Sequence, residues 1–445
     1  IREKGIPNVF NVFDLDNTKK KARQDEWQEQ TQSVFASVEV GWKSMLYLTL
    51  TGRNDWASQL ANSSTPCFFY PSVGLSGVIS EMLTLPEFID YMKVRGSFSS
   101  VGMPYPRNLT SPTYEYDEAN QQWKPKTHYP IKDLKPERTN SWELGLDMRL
   151  FKDFSLGFSW YLANTFNQTF DPKVSVSSGY SKIYLQTGYV RNSGVELSLG
   201  YGHTWNNHLH WESNFTLSHN KNTIKDLVTS YIHPETGLPI TQNRLDVGGL
   251  GKARFILKKG GTLGDLYTQS DLKRDNSGMV EIDPSGALTT EDNLPDIKLG
   301  SVFPKANLAW NNRFEWRGVS LSALFTARIG GIAYSATQAA MDQYGVSERS
   351  AQARDNGGVL LNGRTLVDAQ TYYSLIGNSS GLPQYYTYSA TNVRLQEASV
   401  GYTIPRKWLG GVCDINVSVV GRNLWMIYCR APVSYTHLRA QLLTR

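Results

Sequence analysis

The sequence predicts an all-β fold: an antiparallel transmembrane β-barrel wall of about twelve strands. Three observations carry that prediction. Apolar and polar residues alternate over long runs, short and long connections alternate along the chain, and the composition is aromatic but weakly charged. Of 445 residues, 12 are Trp, 24 Tyr and 17 Phe, while charged residues make up 19%. That balance excludes a disordered chain.

The alternation is clearest from Trp142 to Leu150, where Trp142, Leu144, Leu146, Met148 and Leu150 share one face. Glu143, Gly145, Asp147 and Arg149 share the other. The pattern repeats at Phe154, Leu156, Phe158, Trp160 and Leu162, and again at Val195 to Tyr201, Leu209 to Leu217 and Val319 to Ile329. Near the start, Val34, Ala36, Val38, Val40 and Trp42 do the same. Period two means strands with one apolar and one polar face. Runs of roughly 9–12 residues exceed the usual globular strand and match a tilted strand crossing a bilayer. A large soluble β-sandwich also alternates, but with shorter strands.

In chain order the strands are expected at 31–41, 44–52, 67–79, 91–101, 138–150, 153–165, 189–202, 209–220, 301–313, 319–330, 391–404 and 413–424. The links between them are alternately short and long, as periplasmic turns and extracellular loops require. One strand breaks parity, since Val393 and Leu395 share a face while Ala398, Val400, Tyr402 and Ile404 lie on the other. A β-bulge at Gln396-Glu397 restores the register. Gly52-Arg53-Asn54-Asp55-Trp56 reads as a strand end and turn. Trp56 is left between an interfacial anchor and a loop-packing role. Asn192-Ser193-Gly194-Val195-Glu196 reads as structural, its glycine permitting a bulge or tight bend.

Several function classes fall away. The formal charge of +5 is spread along the chain, so no nucleic-acid footprint appears. The run Lys19, Lys20, Lys21 and Arg23 is followed by Asp25 and Glu26 and reads as a solvated turn. Three cysteines, Cys67, Cys413 and Cys429, support neither a disulfide framework nor a zinc motif. No apolar run reaches the ~18 residues of a membrane helix. His203, His208, His210 and His219 invite a metal reading, but nothing makes them converge. Asp271 to Ile282 lacks the glycine and glutamate of a calcium loop. Gly248 to Ala253 lacks the first glycine and the hydroxyl of a phosphate loop. No nucleophile elbow occurs. The prediction is therefore a non-enzyme with no cofactor and no metal.

Several strings in these strands resemble the SusC/RagA group of TonB-dependent outer-membrane transporters. They include LYLTLTGRNDWASQL (46–60), FFYPSVGLSGVISEM (68–82), KVRGSFSSVG (93–102) and LKPERTNSWELGLDMRLF (134–151). SSGYSKIYLQTGYVRNSGVELSL (177–199), ARIGGIAYSATQAAMDQYGVSERSAQARDNGG (327–358), RLQEASVGYTIP (394–405) and VVGRNLWMIYCRAP (419–432) complete the set. The 327–358 string is similar to a late barrel segment of the family.

The resemblance implies a bacterial outer-membrane location and part of a larger 22-stranded plugged barrel. It implies energy-coupled import of an oligosaccharide or oligopeptide cargo. The implied partners are outer-membrane lipid, a SusD-like surface lipoprotein, and TonB–ExbB–ExbD acting through a plug. A siderophore or cobalamin receptor is the related alternative, and a surface glycan-binding adhesin the more distant one. By this reading residues 1–30 are an incomplete upstream region, 31–432 the barrel part, and 433–445 a non-native tail. The first residue, Ile1, fits an internal piece of something longer.

Candidate site residues follow from the faces and the loops. Glu143, Asp147, Arg149, Glu196 and Arg422 are expected to face the lumen, Arg422 in a structural ion pair. Loop aromatics Tyr114, Tyr116, Trp123, Tyr129, Tyr385, Tyr386 and Tyr388 are the candidate cargo contacts. Stacking on cargo, packing the loop and touching a lid protein are all uses open to them.

Overall fold

The computed structural model describes residues 28–431 except 62, 107–108, 110–114, 118–121, 125–127, 130–134, 171–181, 184, 206–207, 233–238 and 379–380. The basic run at Lys19–Arg23, Tyr114 and the tail 433–445 lie outside the described residues.

Twelve antiparallel strands form one continuous sheet in simple succession. They are β1 (Thr31–Trp42), β2 (Leu46–Ala57), β3 (Cys67–Val78), β4 (Ile89–Met103), β5 (Glu137–Leu150) and β6 (Phe154–Phe170). Then follow β7 (Leu185–Trp205), β8 (Leu209–Asp226), β9 (Ala306–Trp316), β10 (Val319–Ile329), β11 (Asn392–Ile404) and β12 (Ile415–Cys429). All twelve expected strands are present, and the short and long connections alternate as the sequence required.

The outward face is apolar and open to the surroundings. Trp142, Leu144, Phe154, Phe158, Leu199, Trp310, Phe314 and Leu321 are all exposed on it. An apolar surface of that extent is a lipid-facing band. Toward the short-turn end it carries an aromatic row, with ring centroids of Phe154 and Tyr201 4.7 Å apart, Tyr201 and Trp211 5.2 Å, and Trp211 and Phe314 5.6 Å. Tight turns of two or three residues close three of the hairpins at that end. Lys43 and Ser44 are both at positive φ, as are Phe151 and Lys152, and Arg317 with Gly318. Such mirror-image turns match the right-handed twist of the strands they join.

The bulge expected in β11 is there. Leu324 opposes Glu397 and Phe325 opposes Leu395, which leaves Gln396 unpaired with β10. Its side-chain amide donates to Asn423 Oδ1 at 2.9 Å, across a second irregularity on β12.

Three readings differ from expectation. The turn at Gly52–Trp56 does not form, because β2 continues through it with partners on both sides, Gly52 opposite Ala36 and Pro71. Ladder hydrogen bonds on two edges outweigh local turn preference. Gly194 makes no bulge either; the register runs unbroken from Val190 to Trp205. Its missing side chain instead makes room for Tyr161, whose hydroxyl would lie 2.4 Å from an added Cβ. The ninth strand starts at Ala306 rather than 301, because Ile297–Ser301 pairs with Asp265–Thr268 instead.

The long connections 227–305 and 330–391 fold together into a body at the long-loop end. Within it, Arg244–Leu250, Ala253–Lys258, Asp265–Thr268 and Ile297–Ser301 form a four-stranded sheet. The Gly248–Ala253 segment is thus a hairpin, its turn at Gly251. Helices α1 (Ala336–Gln343), α2 (Glu348–Asp355) and α3 (Ala369–Ile376) follow. Leu272, Val280 and Leu288 from the first connection pack with Val367, Ile376, Leu382 and Tyr386 from the second. Val190 and Ile224 join the top of the wall to Leu245 and Leu257 of the loop sheet. Among the described residues no helix is long and apolar enough to cross a membrane.

Candidate functional site

The inward face of the wall is polar, and one group of its charges centres on Arg95. Arg95 on β4 stands directly opposite Gly145 on β5. The guanidinium lies over that glycine so closely that a Cβ there would sit 2.5 Å from Arg95 Nε. So placed, Arg95 donates to Asp147 Oδ2 at 2.8 Å, Ser159 Oγ at 2.6 Å and Glu143 Oε1 at 3.3 Å.

From this cluster two adjacent rows of inward residues cross the strands. In the first row Asp147 opposes Gly157, then come Ser198, Thr216, Ala309, Thr326 and Arg394, each directly paired with the next. In the second, Gly145 is followed by Ser159, Glu196, Ser218, Asn307 and Arg328, again pair by pair. Together the rows floor a cleft of about 800 Å³. Between the charged residues its floor is made of Gly, Ser, Thr, Ala and Asn. Asp147, paired with Arg95, stands at one end, Glu196 lies along the second row, and Arg328 and Arg394 stand on the last strands. Arg328 is held by donation to the Val302 carbonyl at 2.5 Å, which ties the basic end to the loop body.

The sequence candidates distribute as follows. Asp147 and Glu196 line the cleft. Glu143 sits beside it on Arg95, and Arg149 is exposed farther along β5, opposite Tyr91 and Ser155. Arg422 is distant from it, its Nε donating to Glu397 Oε2 at 2.9 Å. Arg95, Arg328 and Arg394 were not singled out from the sequence. Parity alone would have found them, since each shares its strand's inward face with small polar residues.

The loop aromatics separate into two sets. Tyr116 and Trp123 oppose one another across a short hairpin, with Trp123 exposed. Tyr129 pairs in register with Ile183, joining two long loops. Tyr386, in contrast, is 0% exposed in the loop-body core, and Tyr385 packs against that core. Tyr388 is half-buried in a strand pair with Ala333. Loop packing, one of the uses left open, is how Tyr386 is employed here; its ring is closed to cargo.

The polar heart of the loop body is Asp342, 1% exposed. It accepts from Gln338 Nε2 at 2.8 Å, from Ser347 Oγ and from Arg349. The Arg349 guanidinium lies 4.8 Å above the Tyr386 ring and 5.7 Å from that of Tyr373. Burial pushes the Tyr372 and Tyr386 phenols well above their ordinary range. The histidines do not assemble: His203 pairs with Asp153 at 2.7 Å, His210 with Thr204 at 2.9 Å, and His219 with the Lys305 carbonyl. Asp275 and Asp283 each cap their own tight turn, accepting from Ser277 and Met279, and from Ser285 and Ala287, rather than framing a shared site.

A sheet apolar outside and polar inside, with tight turns at one end and folded loops at the other, is an outer-membrane β-barrel wall. Residues 5–424 match the model of the family described as TonB dependent receptor-like, beta-barrel, and the chain belongs to that family. This places it in the bacterial outer membrane, in keeping with the SusC/RagA-type resemblance.

Among curated relatives, TonB-dependent receptor P3 of Formosa agariphila is 23% identical over 94% of this chain and 43% of its own length. TonB-dependent receptor P26 of the same organism is also 23% identical, over 93% and 43%. The chain thus spans less than half of these relatives. Among solved structures, the RagAB peptide transporter superposes with a TM-score of 0.69 at 18% identity, over 90% of this chain and 44% of that one. At that identity the likeness is one of fold.

Proposed function

We propose that the complete protein imports an oligomeric nutrient, a glycan or an oligopeptide, across the outer membrane. Energy would arrive from TonB–ExbB–ExbD through a plug, and a SusD-like lipoprotein would close over the loop end. The observation that carries this reading is the distribution of charge on the wall. Lipid-facing positions are apolar, while ionic and hydroxyl groups lie on the inward face, some of them lining a cleft. A pathway that holds cargo weakly at several sites and then releases it needs such a lining, and no bond has to be made or broken. That the fold is shared with an assembly named a peptide transporter supports the oligopeptide side of the choice.

Deletion of the complete gene tests the reading. Growth on oligopeptides or oligosaccharides as sole nutrient should be lost, restored by complementation, and blocked when the proton-motive force is collapsed. Unchanged growth on both, with a defect only under iron limitation, would count against it.

A further inference from the structure

The lipid-facing side of the wall changes character near the long-loop end. On β5 the outward residues from Leu150 up to Trp142 are apolar, and the next two are Asn140 and Arg138. The register carries this change across four strands. Trp142, Leu162, Ser193 and Lys221 stand side by side, and above them come Asn140, Asn164, Arg191 and Thr223. Along this unbroken register of β5 to β8, the described outward residues with a fixed charge are Arg138, Arg191 and Lys221. All three are cations, and all lie at the same end.

Among the described residues, none of them is paired with a carboxylate. Arg191 donates through Nε to Asn164 Oδ1 at 2.9 Å and through Nη2 to the Tyr189 hydroxyl at 2.6 Å. Its guanidinium also lies 5.8 Å from the centre of the Tyr189 ring. Arg138 donates through Nε to Ser100 Oγ at 2.7 Å and through Nη2 to the Phe69 carbonyl at 3.4 Å. Ser100 in turn donates to Asn140 Oδ1 at 2.7 Å. These neutral partners fix where the guanidiniums stand without cancelling their charge. Lys221 is exposed.

Height along the wall places the patch. Arg191 stands ten residues up β7 from Tyr201, a member of the aromatic row at the short-turn end. Ten residues of a strand tilted about 40° rise roughly 25 Å, the height of a barrel's apolar band. The three cations therefore sit at the headgroup level on the long-loop, extracellular side.

We propose that this patch binds the phosphorylated headgroup of a glycolipid in the outer leaflet, its acyl chains lying down over Trp142, Leu144 and Leu162. The inference stands apart from the nature of the cargo. Each guanidinium carries five donors and spends two on the neutral groups named above, which leaves donors for phosphate oxygens. Planar guanidiniums match phosphate with parallel hydrogen bonds. The patch is also broad, since three inter-strand steps of about 4.8 Å separate the Arg138 and Lys221 strands, about 14 Å in all. That width exceeds a single phosphodiester and suits a headgroup built on sugars, with Ser193 and Thr223 hydroxyls among the cations to meet theirs.

The test uses the complete protein, purified in detergent, stripped of lipid and titrated with three probes. These are a diphosphorylated lipid A, the same lipid dephosphorylated, and phosphatidylglycerol. The phosphorylated glycolipid should bind best, and loss of its phosphates should weaken it about tenfold or more. Each cation at a headgroup surface is worth about a factor of five. Arg191→Gln should therefore lower affinity about fivefold, and the triple variant Arg138→Gln/Arg191→Gln/Lys221→Gln about a hundredfold. Arg422→Gln, which removes a cation from the inward face, should leave it unchanged. Heat-modifiable migration reports an intact barrel. Where a variant fails that check, the phosphorylated and dephosphorylated lipids compared on the unmutated protein decide alone.

Equal binding of those two lipids, or a triple variant that binds like wild type, would overturn the proposal. Phosphatidylglycerol bound as tightly as the glycolipid would overturn it too, reducing the patch to a general anionic-lipid surface. Variants that lose thermal stability while keeping full lipid affinity would also overturn it, marking the arginines as ties between strands only.

Discussion

Along the wall, Leu144 is 56% exposed and its neighbours Glu143 and Gly145 face the other way. In the loop body, Asp342 is 1% exposed and its charge is answered by one arginine and two neutral donors. The wall is stable because lipid accepts its apolar face and its backbone is paired strand to strand. The loop body has no such solvent. It closes its own small core and buys its geometry with a few specific polar contacts. A mutation should therefore act differently in the two regions, globally in the wall and locally in the loops.

Arg349→Leu should produce the largest effect. It leaves the Asp342 carboxylate buried without its cation, at a cost of about 3–5 kcal/mol. Hydrogen exchange should accelerate across α1, α2 and α3 while the wall strands keep their protection. The double variant Asp342→Leu/Arg349→Leu should recover part of the loss, because no uncompensated charge remains. Faster exchange in the wall strands would show that the two regions are one cooperative unit.

Leu144→Arg is the converse experiment. Leu144 sits near the middle of β5 on the lipid face. A charge at the bilayer midplane of a barrel costs roughly 2–4 kcal/mol. Folding yield of the complete protein into lipid vesicles should fall, whereas Glu143→Gln on the opposite face should leave it nearly unchanged. Equal yields for Leu144→Arg and wild type would reverse the face assignment.

The same contrast explains what could be read without a structure. Alternation depends on one repeated physical constraint, so every wall strand was legible, and even the extra residue at Gln396 showed as a break in parity. The loop body has no repeat to read. Ala336 to Asp355 is a helix pair whose ends are set by Ser335, accepting from the Gln338 amide, and Ser347, accepting from the Ser350 amide. Those serines look like ordinary loop residues in the sequence. The sequence showed that stretch only as part of a long connection. The acidic residues of the cleft were visible, as Asp147 and Glu196. The cleft itself was not, because it depends on register across eight strands, which no single run reveals.

Acid should loosen the loop body before it reaches the wall. Asp296 accepts from Arg244 Nε at 2.7 Å and Nη2 at 2.9 Å, and Lys258 lies 2.9 Å away. The Arg244 hydrogen bonds hold its pKa down to about 2, with the Lys258 hydrogen bond adding to them. A carboxylate depressed in the folded state contributes stability that is complete above its unfolded pKa of ~3.9. That contribution, on the order of 2 kcal/mol, is lost as pH falls from about 4 through 2. Protease protection of residues 244–301 should therefore drop over that window. In Asp296→Asn the drop should flatten, and an unchanged profile would assign the acid sensitivity elsewhere.

The smallest effects sharpen the comparison most, because they probe cooperativity with little damage. Asp368 caps α3, its side chain accepting from the Thr371 amide at 2.8 Å and hydroxyl at 3.0 Å. Asp368→Ala should cost about 1 kcal/mol. In the wall, Thr139 and Thr165 face each other with hydroxyls 2.9 Å apart. Thr139→Ala should cost roughly 0.2–1 kcal/mol. If the regions differ as argued, the cap variant raises exchange only in α3, whose Tyr372 and Ile376 anchor the loop core. The wall variant instead should raise exchange slightly in every strand, because each is held by both neighbours and none opens alone. Exchange confined to β5 and β6 in Thr139→Ala would mean that the wall, too, opens piece by piece.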